Sequence, residues 1–266
     1  MTIGREIGLE RGVRWRAEVI EAPDVLLPAR VYAPEGRPVG CVVWAHGGSW
    51  RAGSVEEWHG ACTRLSAASN WTVVSVEYRL APGYPHPAPV RDVLHALDWA
   101  SRRVVGDDGP LPLAVGGDSA GGTIAACAAL ARRDLGRPLD LQVLAYPPLD
   151  PACSAASYGI GGFPDPRALR ASWQAHRGRG ATAEFDGVIL HSSPLEAAAL
   201  GRLPPSILAV GTLDPVADDV RGYARLLREA GNEVELHELP GGFHGAFITT
   251  EALAARLGAA LLERSS

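Results

Sequence analysis

The sequence predicts a protein of the α/β class, with a mostly parallel central sheet and helices on both faces. Short, β-branched apolar runs alternate with longer helical patterns along most of the chain, which has 266 residues. The run VGCVVWA at 39–45 is continuously apolar, as in a strand that is buried on both faces. Strand–helix alternation repeated in this way implies right-handed crossovers between parallel strands. We see no internal repeat.

The strands are predicted from their apolar and β-branched content and from the turns that bound them. Two opening strands at 16–22 and 25–33 are separated by a turn at Pro23-Asp24. The run WTVVSVEY at 71–78 is rich in β-branched residues. Further apolar runs predict strands at 111–115, 139–146, 206–211 and 233–239, in addition to 39–45.

Helical spacing of apolar residues fills the intervals between these strands. The clearest case is 90–103, where Val93, Leu94 and Leu97 recur at helical intervals. An Ala-rich stretch predicts a helix over 120–133, and others are predicted at about 55–68, 216–230 and 251–262. Segment 150–205 is rich in glycine and proline around a short helical piece at 167–176. We expect one domain over 1–266, with 150–205 inserted as a cap or lid.

Composition and charge exclude some classes of binding partner for this protein. The net charge is −5 and the pI is about 5.9, so no basic surface for nucleic acid is expected. No apolar run approaches the ~20 residues of a membrane helix. Charges at Arg5, Glu6 and Glu10 leave no apolar leader near the N-terminus, so we expect a cytoplasmic protein without membrane contact. The partner expected is a small molecule.

The sequence shows no pattern that indicates a bound metal or a cofactor. The eight histidines show no HxxxH or HExxH spacing, and the four cysteines form no CxxC pair. We therefore expect buried free thiols, no bound metal and no cofactor. All 25 positive charges are arginine, so no lysine is available as a nucleophile.

The strongest chemical motif is GDSAG at 117–121, a GxSxG pattern. It follows the apolar run LPLAV and opens the helix predicted from Ala120, which is the strand–turn–helix setting of a nucleophile elbow. A sharp turn needs small residues two positions before and after the serine. The free N–H groups and dipole of the helix N-terminus suit a developing oxyanion. Ser119 is therefore the predicted nucleophile.

A glycine-rich loop, HGGSW at 46–50, follows the buried strand at 39–45. In α/β-hydrolases a loop at this place supplies backbone N–H donors opposite the nucleophile. Glycine lets the backbone approach the substrate oxygen closely. His46 precedes the nucleophile, so we expect it to hold the loop rather than to act as the base.

The base and the acid are expected after the nucleophile, with the acid first. His244 lies in the loop GGFHGAF after the last strand and is the predicted general base. Asp214 follows the strand at 206–211, at the sheet edge where catalytic groups collect, and is the predicted acid. Asp218 and Asp219 are its rivals, although both fall inside the next predicted helix.

Taken together, these motifs resemble the hormone-sensitive-lipase-like esterases, the bacterial family IV group of α/β-hydrolases. The matching elements run in family order: HGGSW at 46–50, YRLAPGYPHPAP at 78–89, GDSAGG at 117–122, SPL at 193–195, LPP at 203–205, DPVAD at 214–218 and FHGAF at 243–247. The resemblance implies an α/β-hydrolase fold and a carboxylesterase with a Ser119–Asp214–His244 triad.

The resemblance also implies the composition of the oxyanion hole. Its donors would be the backbone N–H groups of Gly48, Ser49 and Ala120, with Gly47 shaping the loop. Ser49 departs from the family's third glycine, which leaves the N–H but restricts the backbone. Few residues precede the first strands, so the cap is expected to be reduced and the pocket more open. A monomer and a homodimer paired through an edge strand both stay open.

The same motifs are compatible with three other functions. HGGxW also resembles the loop of arylformamidases, so an amide could replace the ester. A natural-product tailoring enzyme could use the triad for acyl transfer, lactonisation or elimination. Some plant hormone receptors of this type bind without catalysis, but those typically lose a member of the triad, whereas all three are present here.

Overall fold

The computed structural model describes residues 7–106 and 109–264. Within these residues, nine strands form the main sheet in the order β1-β2-β3-β5-β4-β8-β9-β12-β13. These strands are β1 (Ile7–Glu10), β2 (Val13–Ala22), β3 (Val25–Pro34), β4 (Cys41–Ala45), β5 (Thr72–Val76), β8 (Leu113–Asp118), β9 (Leu141–Ala145), β12 (Ser206–Gly211) and β13 (Val234–Leu239). Two short hairpins lie outside it: β6 (Val105–Gly106) with β7 (Gly109–Pro110), and β10 (Thr182–Phe185) with β11 (Val188–His191).

The helices follow the strands in the alternation that the sequence predicts. They are α1 (His59–Ser69), α2 (Ala88–Arg103), α3 (Ala120–Asp134), α4 (Pro166–Arg177), α5 (Ala217–Glu229), α6 (Ala246–Thr249) and α7 (Glu251–Glu263). Two short 3-10 helices cover Ala156–Ile160 and Pro194–Glu196. None of the helices in the described part of the chain is long and apolar enough to cross a membrane.

The central strands are buried on both faces of the sheet. Every residue of β4, β5, β9 and β12 is buried. Since neighbouring residues of a strand point to opposite faces, this burial requires cover on both sides. The cover comes from helices: α1 packs on α7 and α2 packs on α3, while α5 contacts β12 and β13.

Strand direction confirms the predicted mostly parallel sheet. The strands β5, β4, β8, β9, β12 and β13 are parallel to their neighbours in this run. The first three strands are antiparallel and join the parallel part through the β3–β5 pair.

All four cysteines are free and buried, as expected.

Several boundaries differ from the predicted ones, and several short elements were missed, among them α6 and both 3-10 helices. The helix predicted from about 55 begins at His59, because the preceding residues form turns in which Trp58 N–H donates to Ser54 O at 3.2 Å. Strand β1 and the hairpins β6–β7 and β10–β11 were not predicted. They are two to four residues long and lack a periodic pattern.

The segment predicted as an insertion, 150–205, lies between β9 and β12, which are neighbours in the sheet. It contains α4, the β10–β11 hairpin and both 3-10 helices. The carboxylate of Asp219 on α5 anchors the beginning of this segment. It accepts from Leu149 N–H at 2.8 Å and from the Tyr158 hydroxyl at 2.8 Å. The segment is thus attached to the sheet domain at its base.

Candidate active site

Ser119 stands on a sharp turn between β8 and α3. Its φ of 51° lies in the left-handed region, which is unfavourable for a residue with a Cβ atom. The flanking glycines make the turn possible because neighbouring backbone atoms lie too close to them for a side chain. A Cβ at Gly121 would lie 2.0 Å from the Ala45 carbonyl oxygen, and one at Gly117 would lie 2.4 Å from the Gly121 backbone. The residue types of GxSxG therefore follow from the space available.

A chain of hydrogen bonds links Ser119 to His244 and Asp214. The Ser119 Oγ lies 2.7 Å from His244 Nε2. On the other side of the ring, His244 Nδ1 lies 3.0 Å from Asp214 Oδ1 and 2.9 Å from Oδ2. An ionised carboxylate only accepts, so Nδ1–H donates to Asp214, and Nε2 is left to accept the serine proton. The three predicted residues are brought together.

The loops that carry His244 and Asp214 leave the carboxyl ends of adjacent parallel strands. Asp214 follows β12 and His244 follows β13, and the side chains of both are almost completely buried. The Asp214 Oδ1 also accepts from Val216 N–H at 3.0 Å. This second bond fixes the orientation of the carboxylate toward the imidazole.

The loop at 46–50 turns back tightly beside Ser119. Gly48 has a φ of 109°, and a Cβ there would lie 2.1 Å from the Ala52 carbonyl oxygen, so only glycine fits. In the described part of the chain, the backbone N–H groups of Gly48, Ser49 and Ala120 donate to no protein acceptor. These are the three donors that the family resemblance implies.

His46 lies behind this loop and is not part of the hydrogen-bonded chain. Its Nδ1–H donates to the Gly47 carbonyl oxygen at 2.7 Å, and its own carbonyl accepts from the Tyr78 hydroxyl at 2.7 Å. Burial lowers the pKa of His46 to about 4, so the ring is neutral at neutral pH. The contacts agree with the predicted role of holding the loop.

Asp118, the residue before the nucleophile, is a buried carboxylate that sequence reasoning missed. It accepts from Trp44 Nε1–H at 3.1 Å and from Trp58 Nε1–H at 2.7 Å. Burial raises the pKa of Asp118 to about 6, although these donors oppose the rise. A Cβ at Gly47 would lie 2.8 Å from Asp118 Oδ2, so the space beside Asp118 requires glycine there, which fits a shaping role for Gly47.

The rival acids bind elsewhere. Asp218 accepts from Ser157 N–H at 2.9 Å and Asp219 binds Leu149 and Tyr158, so both hold segment 150–205. Of the other late histidines, His176 is buried on α4 and His237 pairs with Glu235 at 2.8 Å. Within the described residues, no three His, Cys, Asp or Glu side chains are grouped as a metal site would need.

Comparison with known proteins agrees with this geometry. The family model described as "alpha/beta hydrolase fold" matches residues 42–248. The chain belongs to this α/β-hydrolase family.

Several relatives of the chain are esterases. The chain is 35% identical over 235 residues to the carboxylic ester hydrolase LipN of Mycobacterium tuberculosis, covering 85% of this chain and 62% of LipN. It is also 35% identical to esterase LipI of the same organism over 242 residues, covering 85% of this chain and 72% of LipI. The chain thus spans less than two thirds of the length of LipN. The resemblance to the hormone-sensitive-lipase-like esterases is confirmed.

Among solved structures, the hydrolase is similar to the hyperthermophilic esterase of Pyrobaculum calidifontis. The TM-score is 0.82 at 30% sequence identity, covering 94% of this chain and 85% of the other. The predicted α/β-hydrolase fold is therefore confirmed over nearly the whole chain.

Two aromatic residues beside His244 were also missed at the sequence level. The Tyr146 ring lies 4.8 Å from the His244 ring, and its hydroxyl accepts from Phe247 N–H at 2.9 Å. Phe163 comes from segment 150–205, is 68% exposed, and meets the His244 ring edge-on at 5.6 Å. Tyr146 ends the strand predicted at 139–146, for which no role at the site was expected. Nothing in the spacing of Phe163 indicates a contact with His244.

Proposed function

We propose that this α/β-hydrolase is a serine esterase that cleaves a carboxylic ester through an acyl-enzyme intermediate. The observation that carries the proposal is the continuous hydrogen-bonded chain from Ser119 Oγ through His244 to Asp214. The chain has the nucleophile on a strained turn, the base in hydrogen-bond reach and a buried carboxylate behind it, which is the arrangement that activates a serine. The esterase relatives support the same bond type.

The reaction follows from the atoms in place. Ser119 Oγ attacks the ester carbonyl carbon while His244 Nε2 takes its proton, and Asp214 stabilises the imidazolium. The tetrahedral intermediate collapses when His244 gives the proton to the leaving alcohol. Water then attacks the acyl-enzyme with His244 as base, and the carboxylic acid is released. No cofactor takes part.

The negative charge of the intermediate needs donors on the opposite side from His244. We assign that role to the backbone N–H groups of Gly48, Ser49 and Ala120, with Gly47 shaping the loop. One such donor contributes about 10²–10³-fold to kcat in enzymes of this type. The free N–H groups and the positive φ of the loop residues support the assignment.

Segment 150–205 acts in this proposal as a reduced cap over the site, within a single domain. The support is the contact of Phe163 with His244, which brings the cap to the side where the alcohol leaves. Apolar cover there suits a small-molecule ester with an apolar alcohol group. A cytoplasmic location stays a prediction of the sequence, and the choice between a monomer and a homodimer stays open.

The test is hydrolysis of p-nitrophenyl esters from acetyl to decanoyl by the wild type and by Ser119→Ala. We expect turnover by the wild type and at least about a 10³-fold loss of kcat in the variant, since removal of the nucleophile leaves only residual catalysis. Ser101→Ala, on the exposed end of α2, is the matched control and should retain full activity.

N-formyl aryl amides are assayed in parallel, because the same triad can cleave amides. A folded wild type that cleaves these amides faster than every ester would contradict the ester assignment. Equal rates in the wild type and Ser119→Ala would contradict the nucleophile itself.

A further inference from the structure

Two consecutive residues of the loop beside the nucleophile adopt a conformation that residues with a Cβ atom avoid. Ser49 has a φ of 55° and Trp50 a φ of 60°. Such pairs persist only where the surroundings over-determine them. Ser49 carries one of the N–H groups that the proposed function assigns to the oxyanion, so whatever holds Trp50 also aims that donor.

Trp50 is held by the cap. Its indole is completely buried and stacks on the His176 ring, with centroids 4.8 Å apart and planes 14° apart. On the same helix, α4, the Trp173 ring lies 4.3 Å from that of Trp50. The Trp50 carbonyl accepts from Ala81 N–H at 2.8 Å, which anchors the other end of the residue.

His176 is itself fixed in place. Its Nε2–H donates to the Ser192 carbonyl at 3.3 Å, and its own carbonyl accepts from His86 N–H at 2.6 Å. Burial lowers the pKa of His176 to about 3, so the ring stays neutral at neutral pH. No acceptor in the described part of the chain reaches Nε1–H of Trp50 or Trp173. The contact is therefore one of ring packing.

We propose that His176 is a positioning residue for the oxyanion hole: its ring clamps Trp50 and so holds the Ser49 N–H toward the reacting carbonyl. The inference rests on the proposed function. The cap then supports catalysis as well as covering the site, because His176 lies on α4 of the cap, whereas the loop that carries Trp50 follows β4. Ser49, which replaces the family's glycine, can keep its strained φ because the next residue is held.

Three variants separate positioning from stability. His176→Ala removes the stacked ring. His176→Phe keeps a flat ring against Trp50 but loses the Nε2–H bond to Ser192, so it should lower Tm yet restore the rate. Leu169→Ala truncates a buried side chain earlier on α4 and serves as the control for lost packing.

The readouts are kcat and KM for p-nitrophenyl acetate, Tm, and the rate at which Ser119 reacts with a fluorophosphonate. In that reaction the Oγ–P bond forms, fluoride leaves and the serine proton goes to His244, while the phosphoryl oxygen occupies the oxyanion hole. We expect His176→Ala to lower kcat and the phosphonylation rate about 10-fold or more, with KM within about twofold. His176→Phe and Leu169→Ala should keep kcat near that of the wild type.

The inference is overturned if His176→Ala keeps both rates, if Leu169→Ala loses them equally, or if His176→Phe is as slow as His176→Ala. A wild type that reacts with the fluorophosphonate but cleaves no ester refutes the esterase assignment alone, and the phosphonylation rates of the variants then decide the inference. A wild type that does neither overturns both.

Discussion

The role of Asp214 can be tested by Asp214→Asn, which keeps the shape of the side chain and changes one acceptor into a donor. Val216 N–H donates to Oδ1 at 3.0 Å, so the amide oxygen of an asparagine is held at that position. The amide NH₂ group then occupies the Oδ2 position, 2.9 Å from His244 Nδ1. Nδ1–H and the amide NH₂ are both donors and cannot share that 2.9 Å contact. The amide oxygen, 3.0 Å from Nδ1, already accepts from Val216 N–H, so the tautomer with the proton on Nε2 and with Nδ1 accepting from the NH₂ group is favoured.

The size of the effect follows from the tautomer. With Nε2 protonated, His244 cannot accept the proton of Ser119, whose Oγ lies 2.7 Å away. A triad held in the wrong tautomer loses about 10⁴-fold in kcat. We expect at least about a 10³-fold loss of kcat for p-nitrophenyl acetate, with KM changed less than about threefold, because the contact is not with the substrate.

Asp218→Asn is the matched control, since Asp218 was a rival acid and lies four residues away in the chain. It accepts from Ser157 N–H and pairs with Arg221 at 3.0 Å, and neither partner is a histidine. Its kcat should stay within about threefold of the wild type. If Asp214→Asn retained a tenth of the activity, or if Asp218→Asn lost as much, Asp214 would not be the acid.

Two further predictions concern residues in contact with the site. Because burial raises the pKa of Asp118 from 3.8 to about 6, the folded state holds this proton more tightly, and the stability it contributes decreases as the pH rises through that window. The Tm of the wild type minus that of Asp118→Asn should therefore fall from about pH 4 to 7 in a thermal melt series; a difference that grows with pH contradicts this sign. Phe163→Ala should raise KM for phenyl acetate about threefold relative to ethyl acetate, since one aromatic contact contributes about 0.5–1.5 kcal/mol. Ile160→Ala, exposed on the same segment, should leave that ratio unchanged, and equal effects would argue against an alcohol-side contact.

The residues of the hydrogen-bonded chain could be predicted from the sequence because each lies directly after a strand. Ser119, Asp214 and His244 come after β8, β12 and β13, and the carboxyl ends of parallel strands lie at one edge of the sheet. Local pattern and topology therefore agree for Ser119, Asp214 and His244. Asp218 and Asp219 were disfavoured because both fall inside the next helix, where they suit the first turn.

Residues that reach the site from other elements could not be predicted in this way. Phe163 approaches His244 from a segment rich in glycine and proline, where no periodicity fixes which side chains point inward. The β10–β11 hairpin has four-residue strands and polar positions, too short for a period-two pattern. Asp118 occupies the variable position of GxSxG, and its role depends on Trp44 and Trp58, which only the fold brings to it.

The oxyanion loop shows why the local motif alone underdetermines a site of this kind. HGGSW names the donors, yet their direction depends on two tertiary supports at opposite ends of the loop. The Tyr78 hydroxyl donates to the His46 carbonyl at one end of the loop, and His176 and Trp173 of α4 pack on Trp50 at the other end. If the packing on Trp50 is lost, the chain still contains every motif, but a support that holds Ser49 at its positive φ is gone. The donors are therefore specified by residues that the motif does not contain.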